Sequence, residues 1–216
     1  MGTTETTRTT DTARRRGYRS ELRAQQAAAT RRTVIEAARA LFVANGWAGT
    51  GVRDVAAAAG VAVETVYAHF SSKKGLLRAV ADQAVVGDEE PVPLAARAEF
   101  AALGRGPRAD RLAATAALIT AIHVRTVAMF KVLDEAAPAE PEMAEFLAAA
   151  RERRRQDVAR GTELVIGRKP LRAEVDGVWA LASPEVYLLL VEESGWTPGE
   201  YQQWIEHLLE RAVPRS

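Results

Sequence analysis

Two short apolar segments separated by a glycine limit what the N-terminal part of this chain can fold into. The pattern predicts one helix from about Val52 to Ala59, which ends at Gly60, and a second from about Val63 to His69. Short helices joined by a tight glycine-containing turn are typical of a helix-turn-helix. The sequence therefore predicts such a unit over residues 52–69.

Longer helices are predicted on both sides of this unit. Helix 1 is expected from about Leu22 to Ala44, with Ser20 as its N-cap and Asn45-Gly46 as its stop. A fourth helix begins at Ser71-Ser72, either of which caps it. Residues 1–20, rich in threonine and arginine, are interpreted as a disordered basic tail. That tail either has no role or lies along DNA.

The segment 87–93 reads Gly-Asp-Glu-Glu-Pro-Val-Pro and predicts a domain boundary, because it breaks any helix. Beyond it, the pattern predicts helices at 108–136, 142–166, 172–190 (with a new start at Ser183-Pro184) and 198–212. Alanine is abundant and β-branched residues are sparse, which favours helix over sheet. We expect an all-α fold: a three-helix bundle with the helix-turn-helix in 21–86 and a second helical domain in 94–216.

Several classes of function are disfavoured by what the sequence lacks. It has no cysteine, so disulfides, thiolate nucleophiles and cysteine-rich zinc sites are excluded. No HExxH, GxSxG, GxGxxG or Walker pattern is present, and His69, His123 and His207 lie in three different predicted helices. An enzyme is the alternative of another class, but we expect no catalysis, metal or cofactor. No long apolar stretch is evident, so we expect a soluble, cytoplasmic protein without membrane contact.

Charge is divided unevenly along the chain. Residues 1–80 carry 13 Lys/Arg and 6 Asp/Glu, a net of +7, whereas residues 81–216 carry 16 and 22, a net of −6. A basic third on an acidic remainder indicates that only one end of the molecule meets a polyanion. A chance distribution of surface charge is the other interpretation.

Residues 50–77 read TGVRDVAAAAGVAVETVYAHFSSKKGLL, and this stretch resembles the DNA-binding region of the TetR family. The resemblance rests on Ala59-Gly60-Val61, on the Thr-x-Tyr-x-His-Phe pattern that begins at Thr65, and on Lys73 with Leu76-Leu77. It implies a homodimeric, ligand-responsive transcriptional regulator, most often a repressor released from a palindromic operator. Two departures stand out: Ala62 replaces a capping Ser or Thr, and Gly51 replaces a Thr that often contacts phosphate.

The resemblance also implies which side chains meet double-stranded DNA. Phosphate contacts are expected from the hydroxyl, imidazole and ammonium groups of Thr50, Thr65, Tyr67, His69 and Lys73. Base contacts are expected from Arg53 to guanine, Glu64 to cytosine, and Val63 or Ala68 to a thymine methyl. Val66 and Phe70 should point into the core. The alternative to DNA contact is that Tyr67, His69 and Glu64 are ordinary surface side chains. In that case Arg53 pairs with Asp54 or Glu64.

The C-terminal helices are expected to bind a small effector and to form the dimer. Candidate effector-lining residues combine aromatic walls with a few polar groups: Ile122, His123, Thr126, Met129, Phe130, Phe146, Trp179 and Tyr187. Because none is charged, the predicted effector is largely apolar. In the alternative interpretations these residues are ordinary core, His123 is a hydrogen-bonded core histidine, or the domain serves a protein partner instead of a ligand. The run 151–155 is interpreted as a solvated face or a second DNA site, and 184–194 with 198–212 as a two-fold interface.

Overall fold

The computed structural model describes the backbone of residues 5–88, 90 and 92–213, with side chains from residue 22 onward, and within these residues it contains helices and no strand. The helices are α1 (Glu5–Asn45), α2 (Val52–Ala59), α3 (Val63–Phe70), α4 (Lys73–Val86), α5 (Ala98–Ala101), α6 (Arg108–Ala136), α7 (Pro141–Ile166), α8 (Arg172–Leu181), α9 (Pro184–Tyr187) and α10 (Pro198–Ala212). A π-helix, Leu188–Glu193, continues α9. The predicted all-α fold is confirmed.

The first helix differs from its prediction at the N-terminal end. It begins at Glu5, whereas the sequence predicted a start at Leu22 after a disordered tail. Residues 5–21 contain no proline, so nothing in this stretch interrupts a helix propagating backward from the core. Residues 1–4 of the predicted tail lie outside the described residues.

The helix-turn-helix depends on a left-handed glycine. Gly60 ends α2 with φ 66° and ψ 32°, and the N–H of Val61 donates to the Ala56 carbonyl at 3.0 Å. This is a C-terminal cap that a residue with a Cβ adopts only under strain. Ala62 precedes α3 without any side-chain cap, whereas the Ser72 hydroxyl accepts from the Gly75 N–H at 3.0 Å and caps α4.

The long helix α6 lies at the centre of the C-terminal part and packs against α4, α7 and α10. Within the described residues it is the one helix long and apolar enough to cross a membrane by length and composition. Its apolar side chains instead meet neighbouring helices: Met129 and Leu133 are buried against the N-terminal bundle, and Leu112 and Ala116 against α10. The same helix thus contributes to both of the protein's apolar cores.

The end of the predicted helix 184–194 has an unusual form. After α9 the backbone widens into the π-helix, and the Ser194 N–H donates to the Leu189 carbonyl five residues back at 3.0 Å. The helices expected to begin at residues 184 and 198 do begin there. The Ser183 hydroxyl accepts from the Val186 N–H at 3.2 Å, and Thr197 and Glu200 form a reciprocal capping box.

Gly60 and Gly177, two glycines with open space around them, give a matched test of the turn. A Cβ at either position would meet nothing within 4 Å, but only Gly60 has a positive φ. We expect Gly60→Ala to lower the free energy of unfolding by about 1 kcal/mol through αL strain, and Gly177→Ala inside α8 to raise it by about 0.5–1 kcal/mol. Urea denaturation measures both changes, and a neutral or stabilising Gly60→Ala would contradict this account of the turn.

Candidate nucleic-acid interface and effector cavity

Helix α3 buries one face and presents the other to solvent. Val66 and Phe70 are 1% and 6% exposed and belong to the core, as predicted. On the opposite face Glu64 and Ala68 are exposed, and Tyr67 shows 49% of its surface, which is unusual for a large aromatic residue. Helix α3 thus offers an accessible face carrying a hydroxyl, a carboxylate and a methyl group.

The other predicted DNA-contacting residues surround this face. Arg53 on α2 is exposed, and no hydrogen bond or ion pair joins it to Asp54, Glu64 or any other side chain that the structure describes. Val63, Thr65 and His69 are half-buried along α3. The Asp54 carboxylate accepts from the Gly51 N–H at 3.1 Å instead, so the backbone group that would replace the missing threonine at Gly51 is already bonded.

Thr50 does not belong to the accessible set. Its side chain is buried, and its hydroxyl donates to the carbonyl oxygens of Leu41 at 3.1 Å and Gly46 at 2.9 Å, where α1 ends. The hydroxyl therefore satisfies carbonyls at a helix C-terminus. The prediction that Thr50 contacts a phosphate is corrected: its surroundings leave the hydroxyl no access to one.

Lys73 is likewise engaged within the protein. Its ammonium group donates to the Trp47 carbonyl at 2.5 Å and lies 4.1 Å from the centre of the Trp47 ring. Burial lowers the pKa of Lys73, with Glu135 and Glu140 opposing that effect. Lys73 is only partly buried and keeps further N–H donors, so its phosphate contact stays a prediction, whereas the neighbouring Lys74 pairs with Glu142 at 2.9 Å.

Sequence reasoning missed Glu135, which joins the two halves of the molecule. From the last turn of α6 its carboxylate accepts the N–H groups of Trp47 at 3.0 Å and Ala48 at 3.2 Å. These N–H groups belong to the α1–α2 connection. No local signal marks such a contact, because its partners are almost 90 positions apart in the sequence.

A cavity of about 1100 Å³ opens among α4, α6 and α7. Six of the eight predicted effector-lining residues lie in its wall: Ile122, His123, Thr126, Met129, Phe130 and Phe146. The volume is at the upper end of what small-molecule sites have. Residues of α4 that line the cavity include Arg78, Asp82 and Val86, so the wall extends to the helix that follows the helix-turn-helix.

Trp179 and Tyr187 do not line this cavity, which corrects two of the predictions. The Trp179 ring is covered by the guanidinium groups of Arg154 at 4.8 Å and Arg155 at 5.8 Å. Tyr187 is 3% exposed and packs 5.3 Å from the His123 ring and 4.8 Å from the Tyr201 ring. Both residues therefore pack against side chains that line the cavity: Trp179 against Arg154, and Tyr187 against His123.

His123 is a satisfied core histidine on the edge of the cavity. Its Nδ1 lies 3.1 Å from the Tyr201 hydroxyl. Burial, and secondarily the positive charge of Arg154, lowers its pKa to about 3, with the Ala182 carbonyl opposing. The imidazole is therefore neutral at physiological pH: Nδ1 accepts from Tyr201, and the other ring nitrogen carries the proton towards Ala182. This matches the core-histidine interpretation more closely than that of a ligand group.

Charged residues in the wall were not predicted. Arg151, Arg153, Arg154 and Asp157 of α7 all line the cavity. Residues 151–153 of the run 151–155 are exposed, as expected of a solvated face, and its arginines also pair with other helices: Arg151 with Glu185 at 3.3 Å, Arg153 with Asp82 at 3.5 Å, and Arg155 with Asp176. Among the described residues, no cluster of His, Asp and Glu could hold a metal ion.

Helix α4 is bonded at both ends to helices that line the cavity. At its C-terminal end the Arg125 guanidinium of α6 donates to the carbonyls of Ala84 at 3.2 Å and Val85 at 3.0 Å. At its start Lys74 pairs with Glu142 of α7 at 2.9 Å, and near its middle Arg78 donates to the Glu142 carbonyl at 2.9 Å. A movement of α6 or α7 would therefore act directly on α4.

The depressed pKa of His123 predicts a specific acid sensitivity. Between pH 6.5 and about 3 the unfolded chain takes up a proton at this residue and the folded one does not, so folding stability falls with pH in that window. The loss is about 1.4 kcal/mol for each pH unit. We expect His123→Phe to lose this contribution and the exposed-histidine control His207→Gln to keep it. Equal pH slopes for wild type and His123→Phe, measured by denaturation at pH 7 and pH 5, would contradict the assignment.

Comparison with known proteins agrees with this geometry. The family model described as bacterial regulatory proteins of the tetR family matches residues 34–80, which span the end of α1 through most of α4. No curated protein sequence matches the chain.

Solved structures match most of the chain's length. A protein from Mesorhizobium loti assigned to the TetR family of transcriptional regulators is 17% identical, with a TM-score of 0.67 over 87% of this chain and 96% of its own. A TetR-family member from Streptomyces coelicolor is 20% identical, with a TM-score of 0.58 over 86% and 98%. The multidrug binding protein EbrR, solved with imidazole, is 20% identical, with a TM-score of 0.53 over 86% and 90%.

At these identities the structural matches establish the fold, while the N-terminal match identifies the helix-turn-helix. Residues 34–80 thus form a DNA-binding region of the tetR family of bacterial regulatory proteins, within a fold that TetR-family structures share.

Proposed function

We propose that the protein is a ligand-responsive repressor that leaves its DNA operator when a small molecule occupies the cavity. One observation carries the proposal: α4 follows directly on the helix-turn-helix and also forms part of the cavity wall. An effector and an operator can influence each other only through an element whose arrangement affects both. Helix α4 meets that requirement.

On the DNA side, the proposed contacts are those that the fold leaves accessible. Tyr67, Thr65 and His69 position the protein on the phosphates, because their donors carry no information about base sequence. Arg53 and Glu64 read base edges, the former as a bidentate donor to guanine. Val63 and Ala68 fit against thymine methyl groups.

For the assembly, we propose a two-fold dimer through α9, the π-helix and α10. Leu189 is 52% exposed, and Leu188, Trp204 and Leu208 are half-buried, so these segments present more apolar surface than solvent contact alone favours. Ile205, expected on the same interface, is only 1% exposed and belongs to its own chain's core. A two-fold axis would place two α3 helices in successive major grooves, roughly 34–36 Å apart.

For the coupling, the proposal uses the bonds that hold α4. Arg125 of α6 holds its C-terminal end, Glu142 of α7 pairs with Lys74 at its start, and Asp82 in its third turn pairs with Arg153 at 3.5 Å. An effector that binds more tightly when these helices are differently spaced shifts the dimer towards that arrangement. The α3 helices then no longer match the operator.

The cavity also favours a regulator that binds a small molecule over one that is controlled by a protein partner. A domain that serves only a protein partner would have a filled core, whereas α6 and α7 enclose a space with apolar and polar walls. Ile122, Met129 and Phe130 supply an apolar surface for a ligand body. A multidrug binding protein among the structural neighbours supports a small-molecule effector.

Selection from random DNA duplexes tests the proposal as a whole. The wild-type protein should enrich an inverted repeat with half-sites about one helical turn apart, because two-fold protein symmetry imposes two-fold operator symmetry. Repeating the selection with a metabolite library should then identify compounds that release the enriched duplex. Enrichment of single, unrepeated half-sites would contradict the dimer, and an absence of enrichment would contradict the operator.

Two substitutions separate positioning from reading. Tyr67→Phe, which removes only a hydroxyl, should weaken binding to all duplexes alike by about 0.5–1.5 kcal/mol, as for one hydrogen bond. Arg53→Ala should alter preference at one base pair by roughly 1–3 kcal/mol. Arg105→Ala, at another exposed arginine, is the control and should change neither property. Gel-shift titrations on the selected duplex and its single-base variants measure these effects, and unchanged base preference in Arg53→Ala would remove Arg53 from the reading set.

A further inference from the structure

The arginine at the inner wall of the cavity lacks an acidic partner. Arg154 lines the cavity, and its Nη1 donates to the carbonyls of Trp179 at 2.9 Å and Ala182 at 2.8 Å. Glu185, the carboxylate that acts on it electrostatically, is bonded to Arg151 instead. No ion pair joins Arg154 to any described carboxylate.

The position of this guanidinium is fixed, and part of it remains free. Two carbonyls and the Trp179 ring, 4.8 Å from its central carbon, hold it in place. Its Nε and Nη2 groups make no hydrogen bond within the described residues, yet they are not among the polar atoms sealed from solvent without a partner. These N–H groups are therefore open to solvent on a residue that lines the cavity, in the planar arrangement that binds a carboxylate through two hydrogen bonds.

Asp157, one turn further along α7, is a second charged residue in the wall and would favour a cationic ligand instead of an anionic one. Its carboxylate also lines the cavity and has no hydrogen bond to any group that the structure describes. Burial raises its pKa, with Arg160 and Arg153 opposing, so this carboxyl can relieve its desolvation by taking up a proton. An arginine has no such option, because it stays protonated in proteins. The demand for a counter-charge is therefore greater at Arg154.

The apolar surroundings of Arg154 define the rest of the ligand. Ile122, Met129 and Phe130 of α6 and Val158 of α7 line the same space. A molecule that satisfies both parts of the wall has an apolar body and a single acidic group.

We infer that the effector is an amphipathic organic anion whose carboxylate, or an equivalent acidic group, binds Nε and Nη2 of Arg154 while its apolar body lies against α6. This rests on the proposed function and specifies its ligand class. It adds an acidic group to the largely apolar effector that the sequence predicts.

Three probes with the same chain and different head groups test the inference on the DNA-free protein by isothermal calorimetry: decanoate, 1-decanol and decylammonium. Wild type should bind decanoate about 10-fold or more tighter than decanol, as for a charge-assisted hydrogen bond, and decylammonium more weakly than either. In Arg154→Met the decanoate preference over decanol should disappear while decanol binding persists. Arg160→Met, at an exposed arginine on the same helix, should keep the full preference.

The preference is a ratio within one protein, so a partly unfolded variant does not distort it. Since Arg154 also holds two carbonyls, Arg154→Lys serves if Arg154→Met does not fold: it keeps a charge but not the planar pair of donors, and should show a reduced preference. Equal wild-type affinities for decanoate and decanol would overturn the anionic class yet leave the cavity as a ligand site. Tighter decylammonium binding that is lost in Asp157→Asn would overturn it in favour of a cation. Failure of the repressor proposal would appear separately, as an operator that no metabolite releases.

Discussion

The arrangement of the molecule depends on the apolar contact between the C-terminal half of α6 and the N-terminal bundle. Met129, Val132 and Leu133 are almost fully buried in the same core as Phe42 and Leu77. Protein interiors are packed too densely to absorb a displacement by gradual compression. A shift of α6 must therefore move the helices of the DNA-binding part as bodies, and the core of that part is incomplete without α6.

Polar contacts at the edges of this core join α6 to particular segments of the N-terminal bundle. Glu135 holds the α1–α2 connection from the last turn of α6, and Arg125 holds the end of α4 from its middle. Between these two points α6 forms the cavity wall at Phe130, and Ile122 continues the wall one turn before Arg125. Cavity, core and polar contacts lie on one helix, so the effector of the proposed function would not need to act through a chain of separate residues.

Electrostatics divides the same wall into two kinds of surface. Four charged residues of α7, Glu142, Arg151, Arg153 and Arg155, pair with charged residues of other helices. His123 is neutral because burial disfavours its charged form, and its ring is fixed by Tyr201 and backed by Tyr187. Arg154, by contrast, combines a permanent charge, a fixed geometry and free donors. Its position, and not the aromatic content of the cavity, distinguishes one ligand class from another.

The sequence by itself determined what depends on neighbours within one or two turns. Gly60 and the caps Ser72 and Thr197 fixed helix ends, and the spacing of Val66 and Phe70 against Glu64 and Tyr67 fixed which face of α3 is buried. The periodicity of apolar residues indicates which face of a helix is buried, but not which residues pack against that face. Only the tertiary structure turned Thr50 and Lys73 inward, placed Trp179 behind the cavity wall and brought Arg154 into it. The physical reason is that their partners are supplied by other helices or by the α1–α2 connection, and burial and charge pairing depend on those partners.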